Sequence, residues 1–299
     1  MEFLWKHRRG TLDLTARGAV MGVLNVTPDS FSDGGQFVDA ERAVAHGLAM
    51  VEAGAALIDL GGESTRPGAE PVPAAEQIRR TRPVIEALRR RSGVLISIDT
   101  TLAAVAEAAL AAGADIVNDV SGLRGDAEMA GVCARTGAGV VIMHMQGEPR
   151  TMQAAPHYDD VVAEVSSFFR WQLAVAEAAG VVREAVVFDP GIGFGKTLEH
   201  NLALIRALGV LSPIPGRPVV LGVSRKSFLG RLLGSEDLAD RAWPTVALTS
   251  LGRELGARVF RVHEVRPNEQ ALRMTEAVLG AEAADSLGRG AAADRLPAG

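Results

Sequence analysis

Eight short apolar runs recur along the chain, and nearly every one ends on a polar or charged residue. Residues 19–24 run into Asn25, residues 57–60 carry Asp59, and residues 94–98 run into Asp99. Residues 116–117 meet Asn118, residues 140–143 His144, residues 185–188 Asp189, and residues 219–223 Ser224. The eighth run, Val259–Val262, carries Arg261 and is followed by His263. Stretches rich in Ala, Leu, Arg and Glu lie between them. Buried strands alternating in this way with helices predict a single-domain α/β fold, a (β/α)8 TIM barrel. Such a barrel keeps its chemistry at the C-terminal ends of its strands, so the polar run ends become candidate site residues.

Helices are predicted over residues 39–53, 101–112, 126–135, 159–179, 198–208, 245–255 and 267–279. Residues 74–91 contain Pro83, which predicts a kinked helix or two pieces. A Gly-Ala pair precedes four of the strands, at Gly54, Gly113, Gly137 and Gly256. Each glycine stands where a helix should stop and the chain turn into the next strand. The domain is expected over residues 1–284, with 285–299, rich in Ala, Gly, Asp and Arg, as a frayed tail.

Composition narrows the function classes. A chain of 299 residues with 47% hydrophobic content can bury a sizeable core. A net charge of −5 gives no basic field for nucleic acid, so an anionic substrate needs a local cluster of cations. The single Cys133 excludes an internal disulfide and reads as a buried helical residue. No signal-type segment or membrane-length apolar run is present, so a soluble cytoplasmic protein is expected.

Asn25 stands where a side chain meets a substrate oxygen or a Mg²⁺. Asp99, Asn118 and Asp189 end neighbouring strands, and their acceptors suit a ligand edge rich in N–H donors, such as a 2-amino-pyrimidinone. Alternation turns Asp119 away from this group. Arg66 reads equally as an anion or ring-stacking group and as an exposed charge. Residues 189–197 look like a phosphate loop but hold Pro190 where that loop needs glycine. Their glycines are expected to let the backbone pass close to a flat ligand, with Phe194 available for stacking. Arg261 and His263, two apart on a strand, face the same way, and Lys226 lies nearby after the seventh strand. Loops after the seventh and eighth strands often form the phosphate site of this fold. Arg225 reads as a surface charge, and His144 as a packed or hydrogen-bonded histidine.

Residues 22–35 (GVLNVTPDSFSDGG) and 59–68 (DLGGESTRPG) resemble the two signatures of the dihydropteroate synthase family. SIDT at 97–100, NDVSG at 118–122, MHMQG at 143–147, PRTM at 149–152, DPGIGFGK at 189–196, GVSRKS at 222–227 and RVH at 261–263 follow in family order. The resemblance spans about residues 18–279. It implies a transferase that condenses 6-hydroxymethyl-7,8-dihydropterin diphosphate with p-aminobenzoate, releasing pyrophosphate, with Mg²⁺, usually as a homodimer. It implies that Asp99, Asn118, Asp189 and Lys226 hold the pterin, and that Asn25, Arg261 and His263 hold the diphosphate, Asn25 also touching Mg²⁺. It further implies a p-aminobenzoate pocket of Phe31, Thr65, Arg66, Pro67, Phe194 and Ser227, with Asp33 near the reacting centre. The catalytic set carried over in this way is Asp33, Thr65, Arg66, Lys226, Arg261 and His263.

Two positions depart from the family pattern: Glu148 where a small hydroxyl residue is frequent, and Glu264 where Asp is common. The alternatives are a pterin-binding methyltransferase acting on methyltetrahydrofolate and a corrinoid, and a synthase-like paralogue of low activity. A non-catalytic barrel that binds pterins or partners is the alternative from a different class.

Overall fold

The computed structural model describes residues 1–26, 35–63, 71–147 and 151–280. All eight apolar runs contain strands, and all eight strands pair in parallel. In chain order they are β3 (Ala19–Asn25), β4 (Leu57–Gly61), β5 (Leu95–Asp99), β6 (Ile116–Asp119), β7 (Gly139–Met143), β8 (Val186–Asp189), β9 (Val220–Leu221) and β10 (Val259–Val262). The earlier numbers β1 (Leu4–His7) and β2 (Gly10–Asp13) belong to a separate antiparallel hairpin. The barrel closes where Phe188 bridges Val219 just before β9. The expected (β/α)8 architecture is therefore present.

Alternation sorts the strand residues into two layers, because successive side chains point to opposite faces. Val20, Ile58, Ile96, Val117, Val140, Val186, Leu221 and Phe260 face outward and join the core beneath the helices. Ala19, Met21, Leu57, Ile116, Val141, Val187, Val220 and Val259 face inward and fill the lower half of the barrel. The same inward parity continued upward reaches the polar ends. Register puts Asn25 beside Gly61, Gly61 beside Asp99, and Asp99 beside Asn118, while Met143 pairs with Asp189.

The β1–β2 hairpin closes the opposite end, an element the periodicity did not reveal. Trp5 is fully buried against the lower apolar layer, and its indole N–H donates to the Ala185 carbonyl at 2.9 Å. Truncating so large a buried ring costs on the order of 3–5 kcal/mol. Beside it, buried Asp115 accepts from Arg9 Nε at 2.6 Å, Arg89 Nη2 at 2.5 Å and the Ile96 N–H at 2.9 Å.

The helices are α1 (Gly35–Glu52), α2 (Ala74–Arg91), α3 (Ala103–Ala112), α4 (Met129–Thr136), α5 (Val161–Ala178), α6 (Leu198–Arg206), α7 (Ser227–Leu233), α8 (Ala242–Glu254) and α9 (Val265–Val278). The expected break at Pro83 does not divide α2, which runs as one 18-residue helix. Pro83 and Arg79 are both exposed, so the carbonyl that loses its partner has access to water. The helix α7 was not foreseen, since its seven residues are too few to show a period. The four Gly-Ala glycines all take positive φ, between 67° and 117°, as helix-stopping residues should. Cys133 is buried on α4, and burial pushes its thiol up to about 12, as suits a packing residue. The expected tail at 285–299 lies outside the described residues.

Candidate active site

The barrel mouth gathers most of the predicted group. Arg261, pointing inward from β10, bridges two carboxylates. Its Nε donates to Asp59 Oδ2 at 2.6 Å and its Nη2 to Asp99 Oδ2 at 2.8 Å. Asn118 Nδ2 donates to the same Asp59 oxygen at 3.0 Å. Burial opposes the Arg261 charge, but the two carboxylates outweigh it and hold its pKa above the ordinary arginine value. Burial pushes Asp99 up to about 7, against the pull of Arg261 and with help from Asp59.

Four buried polar atoms in this cluster have no hydrogen-bond partner among the described residues: Asp59 Oδ1, Asp99 Oδ1, Asn118 Oδ1 and Ser97 Oγ. Three of them are acceptors only. Each such atom costs about 1–3 kcal/mol unless a donor reaches it. A ligand edge carrying several N–H groups would meet that need.

Across the mouth, Asp189 Oδ1 accepts from the Gly191 N–H at 2.7 Å. Burial raises the Asp189 pKa, and Lys226 opposes the rise. Burial lowers Lys226 to about 8, which Asp189 resists. The Lys226 ammonium donates to the Ile192 carbonyl and lies 4.7 Å from the centre of the Phe194 ring. A side chain at Gly222 would project toward Asp189 Oδ2, Arg261 and Lys226 Nζ, at 3.7, 3.8 and 3.9 Å, so the bare backbone leaves the space between them open. Phe194 also packs on Val120, Met143, Met145 and Met152, giving the mouth one apolar wall.

His263 continues the inward face of β10. Its Nδ1 is 3.0 Å from Ser224 Oγ, which also accepts the His263 backbone N–H at 3.2 Å. Asn25 lies beside Gly61, where a Cβ would stand 3.4 Å from Asn25 Oδ1 and 3.8 Å from the Asp99 Cβ. Ser227 is exposed as the first residue of α7. Phe31, Asp33, Thr65, Arg66 and Pro67 lie outside the described residues, as does Glu148.

Several readings are corrected or extended by the geometry. Arg225 is not a free surface charge: its Nε donates to Glu264 Oε1 at 2.8 Å. The glycines of residues 189–197 serve the protein's own packing. A Cβ on Gly191 would fall 1.9 Å from the His144 carbonyl oxygen, and one on Gly195 would fall 2.2 Å from that of Gln146. At these two positions the loop after β8 thus lies directly on the loop after β7, while a Cβ on Gly193 would stand 3.2 Å from the Lys226 side chain. Asp119 turns away, as alternation predicts, and accepts from Ser121 and Leu123 in its own turn.

His144 is buried as expected, edge-on to Phe168 at 4.9 Å. Its partner was missed. Lys196 Nζ sits 3.0 Å from His144 Nδ1 and donates to the carbonyls of Phe194 at 2.9 Å and His144 at 3.3 Å. Burial and neighbouring Lys226 lower Lys196 to about 7, while burial, Lys196 and Arg124 push His144 down to about 2. Lys196 was obscured by its place in a false phosphate loop. Asp59 was named in its run but given no role. Its inward parity with Gly61 was the available signal, and its bonds to Arg261 and Asn118 bring it into the cluster.

The pattern of the pterin binding enzyme family matches residues 21–263. A dihydropteroate synthase of a Synechocystis species is 45% identical over 266 residues, which is 89% of this chain and 92% of that protein. The structure of Xanthomonas albilineans dihydropteroate synthase with 4-aminobenzoic acid superposes with a TM-score of 0.84 at 45% identity, covering 90% of this chain and 96% of the other. That enzyme's complex with 7,8-dihydropteroate gives 0.80 at 42% identity, covering 90% and 96%.

Proposed function

The chain belongs to the pterin binding enzymes, within their dihydropteroate synthase family, and from that membership we propose how its barrel mouth works. It acts as a transferase of folate synthesis, joining 6-hydroxymethyl-7,8-dihydropterin diphosphate to p-aminobenzoate. The observation that carries the pterin assignment is the set of unpaired buried acceptors on Asp59, Asp99 and Asn118. Facing them, Asp189 and Lys226 frame the open space beside Gly222. The pterin edge brings N–H donors to the carboxylates and a carbonyl to Lys226.

The reaction breaks the C–O bond to diphosphate and forms a C–N bond to the aryl amine. The amine proton leaves with the released pyrophosphate or passes to water. No side-chain nucleophile is required, because the ring delocalises the positive charge that develops as diphosphate departs. The carboxyl groups of Asp59, Asp99 and Asp189 stand around the pterin site, and negative charge on them would favour that developing charge. In this reading the diphosphate is held by His263 and by Arg261, whose guanidinium is also shared with Asp59 and Asp99. Phe194, Ser227 and the residues Phe31, Asp33, Thr65, Arg66 and Pro67 form the p-aminobenzoate side in this reading.

Among the described residues no cluster of three or more His, Cys, Asp or Glu is placed to hold a metal. Asn25 offers one neutral oxygen beside Asp99. That donor set suits a Mg²⁺ that arrives with the diphosphate, since Mg²⁺ keeps several waters and takes phosphate oxygens. When bound it would neutralise charge on the leaving group.

We place the protein in the cytoplasm as a homodimer. Among the described residues no helix is long and apolar enough to cross a membrane. Exposed Leu232 on α7, Trp243 on α8, and Met274 and Val278 on α9 support a dimer face that includes the last two helices.

The test is pyrophosphate release from the pterin diphosphate, with and without p-aminobenzoate and Mg²⁺. Release that requires p-aminobenzoate is expected. Its absence overturns the synthase reading, and methyl transfer to cobalamin would replace it with the methyltransferase.

A further inference from the structure

The turn that follows β9 carries an arginine where its backbone asks for glycine. The Lys226 N–H donates to the Val223 carbonyl at 3.2 Å, closing a four-residue turn whose third member is Arg225 at φ 60°. A turn of this kind needs positive φ at its third position, and glycine is the residue it suits. A branched or long side chain is strained there and persists only where the surroundings fix it. Here they do. Arg225 Nε donates to Glu264 Oε1 at 2.8 Å, and its Nη2 reaches the same oxygen. The Arg225 carbonyl accepts from Arg241 Nη1 at 3.0 Å. Glu264 is anchored in turn, its carbonyl accepting from Asn268 Nδ2 at 2.6 Å, and Asn268 Oδ1 accepts from the Thr249 hydroxyl at 2.7 Å.

Two adjacent stitches therefore join the ends of β9 and β10: Ser224 to His263, and Arg225 to Glu264. The next residue on the first side is Lys226, and His263 directly precedes Glu264. We infer that Arg225 and Glu264 are positioning residues for the condensation: their ion pair fixes the turn that carries Lys226 against the strand end that carries His263. One substrate spans both groups, its ring at Lys226 and its diphosphate at His263, so their spacing is set by a contact that touches neither. This inference rests on the synthase reading.

The experiment is steady-state pyrophosphate release by wild type, Arg225→Gly, Glu264→Gln, the double variant and Glu264→Asp, with thermal melts of each. Arg225→Gly relieves the strained φ, so its melting temperature is expected to equal or exceed that of wild type. Its kcat/KM for pterin diphosphate is expected to fall about tenfold, with the KM for p-aminobenzoate within about twofold. Glu264→Gln should do the same, Glu264→Asp should retain most activity, and the double variant should lose no more than the worse single. Arg225→Gly within about twofold of wild type, or a double variant losing the product of the two singles, would overturn the inference. A wild-type chain that releases no pyrophosphate overturns the synthase reading, and the inference falls with it.

Discussion

The two ends of the barrel use the same chemistry and finish it differently. At the hairpin end, Asp115 is buried with both carboxylate oxygens taken, by Arg9, Arg89 and the Ile96 N–H. At the mouth, Asp59 and Asp99 are also buried and also share an arginine, yet each leaves Oδ1 without a partner. A saturated carboxylate has spent its acceptors on the fold. A half-saturated one keeps acceptors for something the fold does not supply. Burial alone therefore does not separate these carboxylates; the unmet acceptors of Asp59 and Asp99 set them apart from Asp115.

Substitutions can separate these two roles. The largest effect is expected from Asp115→Ala, which strands two arginines and a backbone N–H. It should cost about 3 kcal/mol or more in urea unfolding, with kcat/KM of the folded enzyme unchanged. A comparable loss of activity would break the division between floor and mouth. Next is Asp189→Asn at the mouth, expected to weaken pterin-diphosphate binding about a hundredfold, or ~2.7 kcal/mol, with little change in stability. Normal affinity by calorimetry would remove Asp189 from the pterin group.

A smaller effect concerns pH. Asp99 is pushed up to about 7 in the folded chain, against an ordinary aspartate value near ~3.9. The folded state therefore holds a proton that the unfolded state has lost. The stability Asp99 contributes is complete below about pH 4 and disappears as the pH rises through about 7. His144, pushed down to about 2, works in the opposite sense, costing stability as the pH falls below its ordinary value. The wild-type curve mixes these with the other shifted groups, Asp189 and Lys196 among them, and the difference between wild type and Asp99→Asn isolates the Asp99 part. That difference should slope between pH 4 and 7 and be flat above, as read by denaturant unfolding at a series of pH values. The smallest effect is Ser97→Ala. Removing a buried hydroxyl with no partner should leave stability unchanged or raise it by up to about 1 kcal/mol. A clear loss of stability would mean that Ser97 belongs with the saturated, structural group.

The barrel was legible because its rule is local. A run of apolar residues, a polar end and a Gly-Ala restart can be read without knowing what lies across the fold. The same rule found Asn25, Asp99, Asn118, Asp189, Arg261 and His263, since each takes its direction from strand parity. What escaped depends on distant partners. The β1–β2 hairpin hides Trp5 among Lys6, Arg8 and Arg9, and nothing in that composition announces a buried ring. Asp59 gains its importance from Arg261, 202 residues away, and Arg225 from Glu264, 39 residues away. Lys196 is a buried cation with carbonyl and imidazole partners, a pairing with no sequence signature.

The hairpin also imposes an order in time. Trp5 donates to Ala185, 180 residues further along, and the Leu4 carbonyl accepts from Arg217, 213 residues further along. The floor of the barrel cannot lock until its last third exists. A growing chain would carry Trp5 unshielded while most of the strands are being made, with contacts this remote slow to form. For this molecule, the seal laid down earliest is among the latest to close.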